Sequence, residues 1–152
     1  MTLDEFIARV EDKSPPAPEH KLVAFEMAIG CNLPEDYRYF LINCNGGHLG
    51  GRYGINVIGG LRPETDYSLV ENSNIYGDRI PDTWLWIMED PFGNAICLCL
   101  EGENVGSIYL WDHENEPMQE DWNGEGETAG NTTLLANSFS EFVAGLREPD
   151  QA

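Results

Sequence analysis

The chain is 152 residues long, with 41% hydrophobic and 11% aromatic residues, enough for one core that folds without a staple. Its 27 Asp and Glu outnumber 8 Lys and Arg, for a net charge of −19. That surplus repels both a phosphate backbone and an anionic bilayer, which argues against direct nucleic-acid binding and against a membrane partner.

Thr2-Leu3-Asp4-Glu5 has the form of a capping box, and Leu3, Phe6, Ile7 and Val10 follow at helical spacing. The prolines at 15, 16 and 18 stop this first helix. A second is predicted over 19–29, with Leu22, Phe25, Glu26 and Ile29 one turn apart and Gly30 as its stop. Pro34 suits the first turn of a third, whose apolar stripe is Tyr37, Phe40 and Leu41. Asn45-Gly46-Gly47 ends it, and the glycines that follow leave room only for short strands such as 55–58. A helix is predicted over 63–72. Three strands then read clearly at 84–89, 95–101 and 106–111, and the short turns between them imply antiparallel neighbours. Residues 112–130 read as an acidic loop, Leu134 and Leu135 as a last short strand. Ser138-x-x-Glu141 caps a final helix carrying Phe139, Phe142, Val143 and Leu146. Helices leading, strands following and one helix closing predict an α+β fold. The expectation is one domain over 1–148, with a central, mostly antiparallel sheet and a fraying tail at 149–152.

Little in the chain points to catalysis or to a metal. Cys31, Cys44, Cys97 and Cys99 form no Cys-x-x-Cys pair and read as reduced structural thiols. His113-Glu114 opens like a zinc-protease signature, but the second histidine is missing and Pro117 would break the helix. Asp121-x-Asn123-x-Glu125-Gly126 opens like a calcium loop, yet Thr132 stands where a bidentate Glu is needed. Gly46-Gly47-His48-Leu49-Gly50-Gly51 lacks the Gly-Lys-Ser/Thr ending of a phosphate loop, and a geometric role is expected for it. Ser107 and Ser138 sit in no nucleophile elbow. The expectation is therefore no catalytic residue, no metal and no cofactor. The N-terminus has neither a basic nor an apolar leader segment, and no apolar run nears bilayer length, so a cytoplasmic location is expected.

Charge remains as the main functional signal. Between Asp112 and Glu127 stand Asp112, Glu114, Glu116, Glu120, Asp121, Glu125 and Glu127, with no Lys or Arg, and Trp111 and Trp122 are interleaved. Two readings stay open: a solubilising loop, or a docking surface where acids steer a basic partner and an aromatic anchors it.

Leu33-Pro34-x-Asp36-Tyr37-x-x-Phe40-Leu41-x-x-x-Asn45-Gly46-Gly47 resembles the helix-then-turn segment of the SUKH superfamily. Asp90-Pro91-Phe92-Gly93-Asn94-Ala95-Ile96, the run from Gly106 to Glu114, and Ala136-x-Ser138-Phe139-x-x-Phe142 are similar to its later segments in the same order. The resemblance implies a central sheet flanked by helices. It also implies a role like that of bacterial immunity proteins against polymorphic toxins, often nucleases, or like that of a yeast cell-wall assembly regulator that works through protein partners. No catalytic residue comes with it.

The leading expectation is a non-catalytic immunity protein that binds a cognate toxin domain with a basic surface. The partner-binding residues expected are Asp90, Trp111, Asp112, Glu114, Glu116, Glu120 and Asp121, with Trp111 either packing on the partner or belonging to the core. The alternative is a regulatory scaffold with cellular protein partners. Either would act as a monomer or weak homodimer.

Overall fold

The structure, a computed structural model, describes residues 1–63, 65–115 and 131–148. Its elements follow from local signals. Thr2 caps α1 (Leu3–Arg9) by accepting the Glu5 N–H at 3.1 Å. Helix α2 (Glu19–Ile29) ends at Gly30, which takes the left-handed conformation at φ 79° that side chains resist. Helix α3 (Glu35–Asn43) starts behind Pro34. Glu26 sits in the apolar stripe of α2 because its buried carboxylate accepts the Leu33 N–H at 2.7 Å and the Arg38 Nε–H at 3.2 Å. This ties α2, the α2–α3 link and α3 together.

The glycine-rich stretch yields β1 (Gly47–His48) and β2 (Val57–Ile58), the latter shorter than the expected 55–58. The geometric reading of these glycines fits: Gly46 has φ 82°, and a Cβ on Gly60 would fall 2.5 Å from the Gly46 nitrogen. The helix expected over 63–72 instead begins later, as α4 (Leu69–Tyr76). The reason is hydroxyl chemistry. Thr65 Oγ1 donates to the Arg62 carbonyl and accepts the Tyr67 N–H, which holds a turn, and Ser68 then caps the helix through the Glu71 N–H.

Strands β3 (Trp84–Glu89), β4 (Ala95–Cys99), β5 (Ile108–Trp111) and β6 (Thr132–Ala136) complete one antiparallel sheet in the order β1-β2-β3-β4-β5-β6. Helix α5 (Phe139–Ala144) closes the fold behind Ser138, which accepts the Glu141 N–H at 3.1 Å. The chain is thus α+β, with helices mostly N-terminal and one C-terminal.

Register sorts the core. Trp84, Trp86, Cys97, Cys99, Tyr109 and Trp111 fall on one face of the sheet, since they pair directly or in steps of two. Trp84 stacks on Tyr109 at 4.4 Å, and α4 packs over this face by setting the Tyr76 ring edge-on to Trp111 at 5.3 Å. Leu85, Leu98 and Ile108 lie on the other face and join a continuous core with Phe6, Tyr37, Phe40 and Phe139. Those rings meet at 4.8 Å (Phe40–Phe139), 5.2 Å (Tyr37–Phe139) and 5.5 Å (Phe6–Phe40). Cys44, Cys97 and Cys99 are buried and form no disulfide, and burial pushes the pKa of the Cys44 thiol up to about 12.

Candidate partner-binding surface

One end of the sheet is defined by a row of paired residues. Val57 lies beside Glu89, Glu89 beside Ala95, Ala95 beside Trp111, and Trp111 beside Thr132. The β3–β4 turn and the segment after β5 therefore emerge next to one another. This brings together Asp90, Asp112 and Glu114, which are far apart in sequence, and adds Glu89.

The turn is built by Asp90. Its Oδ1 accepts the N–H groups of Phe92 at 2.9 Å and Asn94 at 2.8 Å, while Gly93 takes φ 87°. Asn94 then acts as a clasp. Its Nδ2 donates to Asp90 Oδ2 at 3.0 Å, and its Oδ1 accepts the His113 backbone N–H at 3.2 Å. The same oxygen lies 2.8 Å from His113 Nδ1, a hydrogen bond when that nitrogen carries the proton. Beyond it, Asp112 Oδ1 accepts the Glu114 N–H at 2.9 Å, and Asn131 Nδ2 donates to the Asp112 carbonyl at 3.1 Å. The acids are thus displayed on a backbone that is pinned at both turns.

Electrostatics at this end are one-sided. Glu89 is held above the ordinary carboxylate range, first by burial and then by the Asp90 charge, with His113 opposing. Arg52 lies on the neighbouring β1–β2 connection, but its guanidinium is engaged by Glu148 at 2.8 Å. Elsewhere Arg38 serves Glu26 and Glu19, Arg62 binds the Asp12 carbonyl and stacks on Tyr67, and Lys13 binds the Ile7 carbonyl.

Of the residues singled out from sequence, Asp90 is half-buried, Asp112 half-buried and Glu114 exposed. Trp111 is not on the surface. It is fully buried between Tyr76 and the Arg79 guanidinium, which lies 5.0 Å from its ring, so of its two expected roles it fills the core one. Glu116, Glu120 and Asp121, with Trp122, lie outside the described residues, as do the calcium-loop positions 121–126. Among the described residues, the exposed aromatic at this end is Phe92, 76% exposed at the tip of the β3–β4 turn. Its signal was in the sequence: a phenylalanine between proline and glycine in a tight turn has no core to enter. Among the described residues, no three His, Cys, Asp or Glu side chains gather to hold a metal ion, and no helix is long and apolar enough to cross a membrane.

The SMI1 / KNR4 family (SUKH-1) matches the chain over residues 16–145. The SPbeta prophage-derived uncharacterized protein YokK of Bacillus subtilis (strain 168) is 30% identical over 159 aligned positions, covering 87% of this chain and 76% of YokK. A crystal structure of a protein from Pseudomonas syringae pv. tomato superposes with a TM-score of 0.55 at 19% identity, covering 72% of this chain and 80% of that one, and supports the fold alone. The chain belongs to the SMI1 / KNR4 family (SUKH-1).

Proposed function

We propose that this protein is an immunity-type binder, which neutralises a cognate toxin domain by covering a basic surface and performs no chemistry of its own. The observation that carries the reading is the pinned acidic end of the sheet, where Asp90, Asp112 and Glu114 surround a turn with Phe92 at its tip. Family membership and a prophage-borne relative support it. The acids steer the encounter and select a cationic partner; Phe92 supplies the aromatic that becomes desolvated in the complex. The acidic run continues in sequence through Glu116, Glu120 and Asp121, which extend the same charge. A toxin that handles nucleic acid carries positive charge where phosphates bind, and a surface of this sign occupies that groove.

The test is co-expression with candidate toxin domains, beginning with the C-terminal domain of any large protein encoded beside this gene. The expected result is cell survival and copurification, with binding that weakens steeply as salt rises. Survival without a complex, or a complex indifferent to salt, would contradict the reading. Copurification with a cellular regulator and no effect on a neighbouring toxin would favour a scaffold role.

A further inference from the structure

A cavity of about 170 Å³ opens where the C-terminal turn of α4 meets the turn that leads into β3. Ser73 and Tyr76 line it from the helix, Pro81 and Asp82 from the turn, and Trp84 and the buried Trp86 from the sheet. A cavity of ~150 Å³ holds one benzene, so this one has room for the end of a single side chain and not for a drug-sized ligand. It stands apart from the acidic end: Trp84 opens β3 and Glu89 closes it, ~17 Å away at about 3.3 Å per residue.

The features of the cavity share the sign that attracts a cation. Asp82 is exposed, and its carboxylate makes no hydrogen bond or ion pair with a described residue. No Lys, Arg or His lines the cavity. The end of α4 adds the negative pole of a helix, where the last carbonyls lack intrahelical donors. Aromatic rings attract cations through the electron density of their faces. Ser73 Oγ is buried without a hydrogen-bond partner among the described residues, and rotation about χ1 can turn it to accept from a donor in the cavity. The chain also carries an example of the cation these rings accept. The Arg79 guanidinium lies 5.8 Å from the Tyr76 ring and 5.0 Å from the Trp111 ring, on the same aromatic face but outside the cavity.

From these observations we propose that the cavity receives the guanidinium of an arginine side chain presented by a partner protein, with its plane on the aromatic wall and its N–H groups on Asp82 and Ser73. A guanidinium fits better than an ammonium, because it is planar, more weakly hydrated and stacks on rings. A protein side chain fits better than free arginine. The carboxylate of the free amino acid would meet Asp82, the helix end and a net charge of −19. The inference takes from the proposed function only the cationic character of the partner, and it adds a second contact at the other end of the sheet.

The experiment needs no toxin. The probe is the blocked peptide acetyl-Gly-Arg-Gly-amide, titrated into the whole protein and followed by NMR at the indole N–H of Trp84 and Trp86 and the amide of Asp82. Its citrulline analogue keeps the shape and loses the charge; the lysine analogue and free arginine complete the set. The expected result is saturable shifts at these three groups with a Kd of about 1 mM, as suits a single side chain, and weaker binding of all three comparison compounds. Asp82→Asn should weaken the arginine peptide about threefold and Asp82→Lys about tenfold or more, with native circular dichroism expected at an exposed position. Shifts that never saturate, or an equal response to citrulline, overturn the proposal. So do shifts confined to Asp90 and Glu114, which mean that arginine only decorates the acidic end. Lysine or free arginine binding more tightly overturns the assignment to a protein-borne arginine. Should an Asp82 variant not fold, the citrulline comparison on the unmodified protein decides. Failure here leaves the acidic end untouched, because that surface is tested with a toxin and this cavity with a peptide alone.

Discussion

The clasp made by Asn94 offers the sharpest test of how the acidic end is held. Asn94→Ala removes two hydrogen bonds, Nδ2 to Asp90 and Oδ1 from the His113 backbone, and a third from the His113 ring when its Nδ1 carries the proton. The site is half-buried, so water can reach part of what is left, and each bond counts at about 1 kcal/mol rather than the cost of a fully buried loss. The sum is about 2–3 kcal/mol, which for a domain of this length lowers Tm by about 5–10 °C. Asn94→Asp separates charge from shape. It keeps the acceptor facing His113 but replaces the donor facing Asp90 with a second carboxylate. Burying that like-charge contact raises the introduced carboxyl's pKa in the folded state above its unfolded value, so protonation favours folding. The Asn94→Asp deficit is therefore largest at neutral pH and shrinks as pH falls through the carboxylate range, while the Asn94→Ala deficit stays level. Thermal and urea unfolding followed by circular dichroism at several pH values read both. A loss below about 0.5 kcal/mol for Asn94→Ala, or parallel pH profiles for the two variants, would refute the clasp.

Other expectations follow from single observations. Phe92→Ala, at a 76% exposed position, should change stability by less than about 0.5 kcal/mol yet weaken partner binding by about thirtyfold, measured by calorimetry on the purified complex. Glu26→Ala leaves the Leu33 N–H and the Arg38 guanidinium without their buried acceptor and should cost about 2–4 kcal/mol in urea unfolding. Glu89 has a raised pKa from burial and Asp90, so its ionised form opposes folding. Glu89→Gln should stabilise at neutral pH, with the gain fading as pH falls and the native carboxyl protonates, read from Tm against pH. Thiol titration of the folded protein should modify Cys31 first and reach Cys44, Cys97 and Cys99 only on unfolding, because only Cys31 is partly exposed.

Most of the fold was legible because its signals are local. The capping boxes at Thr2 and Ser138, the glycine after Ile29, and the alternation from Trp84 to Trp111 each decide structure within a few residues. The start of α4 was misplaced because Thr65 and Ser68 hydroxyls bind the backbone, a competition that hydrophobic spacing does not report. Trp111 shows the deeper limit. Beside Asp112 in sequence it reads equally as a surface anchor or as core, and what buries it are Tyr76 and Arg79, brought over the sheet from α4 and the turn after it. The meeting of Asp90 with Asp112 likewise depends on strand register, which pairs Ala95 with Trp111. The turn itself was readable; what it stands next to was not.

The central claim is that carboxylates at one end of the sheet grip a cationic protein. The most direct measurement is the affinity of the purified complex with the toxin domain that co-expression identifies, as a function of NaCl, for the unmodified protein and for an Asp112→Lys, Glu114→Lys, Glu120→Lys variant. The account predicts a steep loss of affinity with salt for the former, and for the latter a much weaker complex with a flattened slope. Equal affinities and equal slopes in the two proteins would contradict it.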